Sequence, residues 1–369
     1  MSLKIYIIAG EPSGDLHGAH LVRAILEQDP SVRFRGFGGS KMEAEGVILD
    51  QDIDQLSFMG FVEVVRHSPQ ILANFSLAKK SIRSWQPDAI LYIDFPGFNM
   101  RMAKWAHKYG YKNFYYIAPQ AWAWKAKRSH QLKKYIDELF CILPFEKEFF
   151  ARYDIDAHYV GHPLVDIIDQ YKKTREPLPK QKKEKILALL PGSRTQEIKN
   201  VLPIQLEASK NFEDHQVIIA RSPNVKTELY ETILTQTQTD AEMNDSAYDL
   251  LYKADIAAVS SGTATLETAL FQVPQVVCFK GNFLSYHIAK TLVKVPYISL
   301  VNLIMDQPIV KELIQNELTV KNLEAELEKL TLSENLETMQ NHYHQLKNIL
   351  GMGGAACKTA KIILSRISN

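Results

Sequence analysis

Short apolar, β-branched runs, each followed by a turn and a helical stretch, recur along this chain, and no other feature narrows its fold so far. Runs that are apolar on both faces belong to strands buried between helices, so the repeat predicts parallel sheets covered on both sides. In the first half such strands are expected at residues 4–9, 32–37, 89–94, 113–117, 139–143 and 158–160. In the second half they fall at 185–190, 216–220, 255–259 and 275–279. Between the halves, residues 169–185 carry Pro177, Pro179 and a run of lysines with almost nothing to bury, the composition of a linker. Residues 1–168 and 186–345 then form two domains, and 346–369 contain a last helix that is a candidate to pack back on the first.

A length of 369 residues, at roughly 150 per domain, agrees with that division. With 43 basic against 42 acidic residues the net charge is +1, so no global field favours nucleic acid. Cys141, Cys278 and Cys357 are scattered and show no metal-ligand spacing, which fits spectator thiols in a reducing cytoplasm. The N-terminus has too few apolar residues for a signal peptide, and no run approaches the about 18 that a membrane-spanning helix needs.

The chemistry-bearing residues gather at the turns after these strands. The first strand leads into Gly10-Glu11-Pro12-Ser13-Gly14-Asp15-Leu16-His17-Gly18 and then a helix. A glycine turn at a helix start offers amides to an anion or a sugar hydroxyl, and Glu11, Asp15 and His17 add acid, base and hydrogen-bonding groups. G-x-G-x-x-G is absent and the second strand ends in no acid that would hold a ribose, which argues against a dinucleotide site. The run at 89–94 delivers Asp94 to the sheet edge where α/β ligands sit, ahead of Pro96, Gly97 and Asn99. Two roles are open to it: a cap for the next turn, or a general base strengthened by desolvation.

Trp122 and Trp124, beside Lys125, Lys127 and Arg128, suit an interface or ligand wall as well as a core. Residues 56–77 are more apolar than a surface helix needs, leaving buried core and an acyl-chain or membrane contact both open. In the second half Arg194 follows Pro191-Gly192-Ser193 directly after a strand, placed to neutralise a diphosphate together with backbone amides. Ser260-Ser261-Gly262-Thr263 repeats the arrangement, with Glu267 one helical turn on for a ribose; a plain helix cap is the simpler alternative. The D-x-D matches at 52–54 and 154–156 are too short to weigh as a metal clamp.

The segments GEPSGDLHGA, IDFPGFN, APQAWAW, VGHPLVD, LLPGSR, SSGTATLE and VPYISLVNLI with VKELIQ stand in the order and approximate spacing of bacterial lipid-A-disaccharide synthase, a family that the chain resembles from Lys4 to about Gln315. The resemblance implies an α/β, GT-B-like glycosyltransferase fold, two Rossmann-like parallel-sheet domains facing a cleft. It implies an inverting reaction in which UDP-2,3-diacylglucosamine donates its sugar to the 6-hydroxyl of 2,3-diacylglucosamine 1-phosphate, giving a β-1,6 disaccharide phosphate and UDP. By the same matching, Asp94 supplies the carboxylate and Arg194 faces the diphosphate. Ser193, Ser261, Gly262, Thr263 and Glu267 line the nucleotide sugar, and Asn302, Glu312 and Gln315 close its uridine and ribose side. Glu11, Ser13, Gly14, Asp15, His17, Asn99, Trp122 and Trp124 fall on the acceptor side. No cofactor and no metal are expected, the UDP-sugar being a substrate whose leaving group meets arginine and helix starts.

Two positions depart from the family pattern. Gly97 stands where many members carry a second aspartate, and Lys125 stands where arginine is expected, a point charge replacing a planar fork. Acyl chains require an apolar landing surface, which residues 56–77 and the Trp122 and Trp124 cluster would supply. A cytoplasmic protein held peripherally at the inner membrane is therefore expected, with no nucleic-acid partner and with an oligomer left open. A GT-B-type transferase or epimerase acting on a water-soluble UDP-sugar would share the second half without needing that apolar segment, and a non-catalytic carrier would not need Asp94.

Overall fold

Side chains alternate along β1, Lys4–Ile8: Tyr6 and Ile8 enter one buried layer while Ile5 and Ile7 enter another. A strand buried on both faces belongs in the middle of a sheet with helices on either side. Ile90 and Tyr92 of β4, Ala89–Ile93, join the first layer, and Leu91 and Ile93 the second. Each such side chain contributes roughly 1.5–3 kcal/mol through burial, which fixes the register of both strands. The computed structural model describes residues 2–53, 68–124, 126–176, 185–281, 296–351 and 353–368.

The first sheet adds β2 (Arg33–Gly38), β3 (Ile48–Asp52), β5 (Lys112–Tyr116), β6 (Glu138–Cys141) and β7 (His158–Tyr159). It is seven-stranded and parallel in the order β3-β2-β1-β4-β5-β6-β7. The second contains β8 (Lys185–Leu190), β9 (His215–Ala220), β10 (Glu242–Asn244), β11 (Ile256–Ser260), β12 (Gln275–Phe279) and β13 (Lys311–Ile314). It is six-stranded and parallel in the order β10-β9-β8-β11-β12-β13. The run pattern does not pick out β3, β10 or β13. All three lie at sheet edges and are largely half-buried or exposed, so they lack the double-sided apolar signature of the interior strands.

The chain divides into two compact units, Met1–Pro163 with Met352–Asn369, and Leu164–Gly351. The boundary thus falls earlier than the expected 168: residues 169–173 are not linker but the end of the helix Pro163–Lys173. Asp169 there accepts a 2.6 Å hydrogen bond from Lys347 Nζ. Residues 177–184 of the expected linker lie outside the described residues. The later boundary also moves, because the helix Ser333–Leu350 runs on until Gly351 ends it at φ 93°. The last helix, Ala355–Ser368, belongs to the first unit. Ala355, Ala360 and Ile363 join the layer of Ile5 and Ile25, and Gln28 Nε2 donates to the Cys357 carbonyl at 3.1 Å.

Candidate active site

In each sheet the strand order reverses beside a central strand, at β1 and β4 in the first and at β8 and β11 in the second. Connections leave such a point in opposite directions, so a crevice opens at the carboxyl ends of those strands. Asp94 and Phe95, directly after β4, both adopt left-handed backbone, at φ 43° and 48°. For non-glycine residues this costs of the order of 1–3 kcal/mol each, and it persists only where surrounding contacts enforce it. Here they do: Asn99 Nδ2 donates to the Asp94 carbonyl at 2.7 Å, and the Tyr115 hydroxyl donates to the same oxygen at 2.6 Å. The Phe95 ring lies against Gly10, where a Cβ would come within 2.3 Å of it, so only glycine lets the β1 turn approach this closely.

The strained turn leaves Asp94 lining a recess of about 260 Å³ with Pro96, Gln120, Arg128, Leu143 and Glu146. Burial pushes the Asp94 carboxyl up to about 6, against the opposing pull of the Phe95 amide and Arg128. A proton acceptor that is ionised near neutrality yet binds protons readily is what general-base chemistry asks for. Gly97 contributes no acid; it is exposed, and a Cβ there would have nothing within 4 Å.

Several residues expected on the acceptor side make contacts within the fold. Asp15 is buried, and its carboxylate accepts from the amides of Gly39 at 2.8 Å, Met42 at 3.0 Å and Lys41 at 3.1 Å, capping the helix Ser40–Ala44. Asn99 is closed off from solvent and braces Asp94 from beneath. His17 is buried and pushed down to about 4 by that burial, with His20 adding to the effect, so its imidazole is neutral. Gly14 packs on Ala9, whereas Ser13 is exposed and Glu11 half-buried at the start of the helix Pro12–Gln28. The Trp122 indole donates to Glu146 Oε1 at 2.9 Å, and its ring meets Phe145 edge-on. The Trp124 side chain, Lys125 and residues 54–67 lie outside the described residues. Glu146 was missed, although Pro144-Phe145-Glu146 follows a buried strand just as Asp94 does.

In the second unit Ser193, Arg194, Ser261, Gly262, Thr263 and Glu267 come together in one recess of about 440 Å³. Gly192 has φ 113°, and a Cβ there would lie 2.6 Å from Glu197 Oε2. Glu197, which sequence reasoning did not single out, accepts from the Ser193 amide at 3.1 Å and from Arg194 Nη1 at 3.1 Å. It thereby sets both the turn and the guanidinium. Helices Thr195–Ser209 and Thr263–Leu270 start at this recess without a side-chain cap, which leaves their first amides for an anion. Arg221 of the same recess binds Asp245 at 2.5 Å. Burial pushes the Glu267 carboxyl up, and a 3.1 Å hydrogen bond from Tyr248 draws it back down.

Asn302 and Glu312 are not brought into that recess; they line another cavity, of about 660 Å³, with Gln275 and Tyr297. The Asn302 amide donates to the Val310 carbonyl and to Glu312 Oε1, both at 2.9 Å, and its oxygen accepts from the Val310 amide at 2.9 Å. Glu312 also accepts from the Ile298 amide at 3.1 Å, and the Ile298 carbonyl takes the Ser261 hydroxyl at 3.1 Å. Ile298 thus links the pair to Ser261 of the recess. Gln315, just after β13 at φ 55°, keeps a buried amide nitrogen without a hydrogen-bond partner among the described residues.

No group of three or more His, Cys, Asp and Glu that could hold a metal ion occurs among the described residues. Solved structures share the fold at low sequence identity. A putative UDP-N-acetylglucosamine 2-epimerase from Listeria monocytogenes matches with a TM-score of 0.68 at 15% identity, covering 100% of this chain and 97% of its own. A calicheamicin glycosyltransferase matches with a TM-score of 0.62 at 13% identity, covering 100% and 99%. Both likenesses fit two Rossmann-like parallel-sheet units, as in GT-B glycosyltransferases. Much closer in sequence are the lipid-A-disaccharide synthases of Syntrophus aciditrophicus, 35% identical over 99% of this chain and 98% of theirs, and of Nitrosococcus oceani, 36% identical over 95% and 92%. The family model described as lipid-A-disaccharide synthetase matches residues 5–367, and the chain belongs to that family.

Proposed function

We propose that this protein joins UDP-2,3-diacylglucosamine to 2,3-diacylglucosamine 1-phosphate with inversion, forming the β-1,6 disaccharide 1-phosphate and UDP. The observation that carries the reading is Asp94, a largely buried carboxyl lifted to about 6 and fixed at the β4 switch point by Asn99 and Tyr115. Asp94 takes the proton of the 6-hydroxyl as its oxygen bonds the anomeric carbon and the bond to UDP breaks. The proton then passes to solvent. Charge gathering on the departing diphosphate is met by Arg194 and by the uncapped starts of helices Thr195–Ser209 and Thr263–Leu270. Preorganised donors of this kind stabilise the transition state without reorganising, and no metal takes part.

Ser193, Ser261, Gly262 and Thr263 hold the diphosphate while Glu267 holds the ribose; Asn302 and Glu312 support them through Ile298. Leu72 and Leu77 are 66% and 37% exposed on the helix Ser68–Trp85, which also carries Lys79, Lys80 and Arg83. Apolar side chains beside cations suit the cytoplasmic surface of the inner membrane, from which acylated substrates arrive.

The test is UDP release from UDP-2,3-diacylglucosamine with and without the monosaccharide phosphate, in EDTA. Release that requires the acceptor and equals the disaccharide formed is expected. Release without acceptor, epimerised donor as the product, or activity restored only by a divalent cation would overturn the reading.

A further inference from the structure

Arg128 has no part in the mechanism above, yet it lines the recess of Asp94. It is half-buried, and among the described residues it is the cation of a wall that otherwise holds Asp94, Glu146, Gln120 and apolar side chains. Its charge reaches two groups at the strained turn, drawing the Asp94 carboxyl down and opposing the rise of the Tyr115 hydroxyl. Arg128 opens the helix Arg128–Tyr135, which the buried Ser129 and Leu132 anchor, so the fold holds its backbone in place.

The covalent structure of the acceptor dictates what comes near this cation. C1 and C5 of a pyranose flank the same ring oxygen, and C5 carries C6, so a phosphate on C1 lies no farther than one ring from the 6-hydroxyl. An acceptor whose 6-hydroxyl reaches Asp94 therefore brings its phosphate to the same recess. Two acids line that recess, and an anion is stable beside them only if a positive group shares the space.

We infer that Arg128 binds the 1-phosphate of the acceptor and makes the enzyme select a phosphorylated sugar. The inference rests on the proposed reaction, with Asp94 as its base. The planar fork of a guanidinium matches two phosphate oxygens at once. Arg194, assigned to the diphosphate of the donor, belongs to the other unit, so each of the two anionic substrates has an arginine of its own. An arginine that served only to keep Asp94 ionised would act alike on acceptors with and without phosphate.

The test compares 2,3-diacylglucosamine 1-phosphate with the methyl glycoside of the same diacyl sugar, at pH 8, well above the value of about 6 that Asp94 holds. Wild type is expected to use the phosphate with kcat/KM about ten- to a hundredfold higher, the worth of one charge-assisted contact. Arg128→Gln should lose that factor on the phosphate, while its kcat/KM for the methyl glycoside and its KM for the UDP-sugar stay within about twofold. Arg128→Lys should keep part of the preference, since an ammonium retains the charge without the fork. Wild-type protein with equal kcat/KM for both acceptors overturns the inference, and that measurement needs no variant. So does an Arg128→Gln variant that loses activity equally on both, which would leave Arg128 a partner of Asp94. Failure of the underlying reading looks different: Asp94→Asn with full turnover removes the base assignment, while the ratio between the two acceptors still reports on Arg128.

Discussion

Asn99 holds the carbonyl oxygen of Asp94 through a 2.7 Å hydrogen bond from its side-chain amide while itself shut off from solvent. The same nitrogen lies 3.3 Å from the carbonyls of Ile8 and Ile93, so one buried amide ties the ends of β1 and β4 to the turn that carries Asp94. Asn99→Ala leaves the Asp94 carbonyl to the Tyr115 hydroxyl and should cost about 1–3 kcal/mol of stability. Relaxed backbone at Asp94 misdirects the carboxylate, so kcat should fall at least about tenfold while KM for both substrates stays within about twofold. Steady-state kinetics beside a thermal melt decide the matter; a destabilised variant with full kcat would show that the brace serves the fold only.

Asp94→Asn should abolish turnover and leave UDP binding intact, because the recess proposed for the nucleotide belongs to the other unit. The same change should also stabilise the protein, in a pH-dependent way. Folding lifts the carboxyl from 3.8 to about 6, so the native state binds this proton more tightly than the unfolded chain, and wild-type stability falls as pH climbs through that window. Asparagine removes the buried charge. The gain should approach roughly 3 kcal/mol at pH 8 and vanish near pH 3, where wild-type Asp94 is already protonated in both states. Denaturant titrations at the two pH values measure it, and an equal difference at both would contradict the buried-base description.

Interior strands and the turns after them were legible because double-sided burial leaves an apolar run and ligand chemistry follows its end. The edge strands β3, β10 and β13 were not, since a strand paired on one side and partly wet lacks that run. Arg194, Ser261, Gly262, Thr263 and Glu267 were expected together and meet in one recess. Asp15 and Asn99 look like ligand residues in a sequence because they stand in glycine-bearing turns after strands, and Asn302 was expected there through the family resemblance. Their actual partners are backbone groups such as the Gly39 amide, 24 positions from Asp15, or the Ile8 carbonyl, 91 from Asn99, which no local pattern reveals. Glu146 shows the converse. It stands in a turn after a buried strand as Asp94 does, but that the two turns line one recess is a matter of topology.

Arg194 is 61% exposed and bound within the described residues to Glu197 at 3.1 Å, so its removal should cost the fold little. A diphosphate, by contrast, would lose a charge-assisted contact of about 1.5–3 kcal/mol, or roughly ten- to hundredfold in UDP affinity. Arg194→Lys should recover only part of this, because an ammonium does not reproduce the planar fork. Calorimetry with UDP, and with uridine as the ligand lacking phosphate, separates the outcomes. Equal losses for both ligands would place the effect on the turn rather than on the diphosphate.

Tyr248 donates a 3.1 Å hydrogen bond to Glu267 that holds the carboxyl down against the push of burial. In Tyr248→Phe the carboxyl should rise further, since burial then acts unopposed by that hydrogen bond. If ionised Glu267 accepts from ribose hydroxyls, UDP affinity at pH 7 should fall about three- to tenfold. A rise in pH, which favours the carboxylate, should offset the loss. Glu267→Gln, which cannot ionise, should bind UDP with an affinity that no longer depends on Tyr248, and the double variant should match it. An affinity loss in Tyr248→Phe that persists unchanged at pH 9, or that appears undiminished in the Glu267→Gln background, would mean that the tyrosine acts by packing against Tyr171 and Phe271 rather than through the acid.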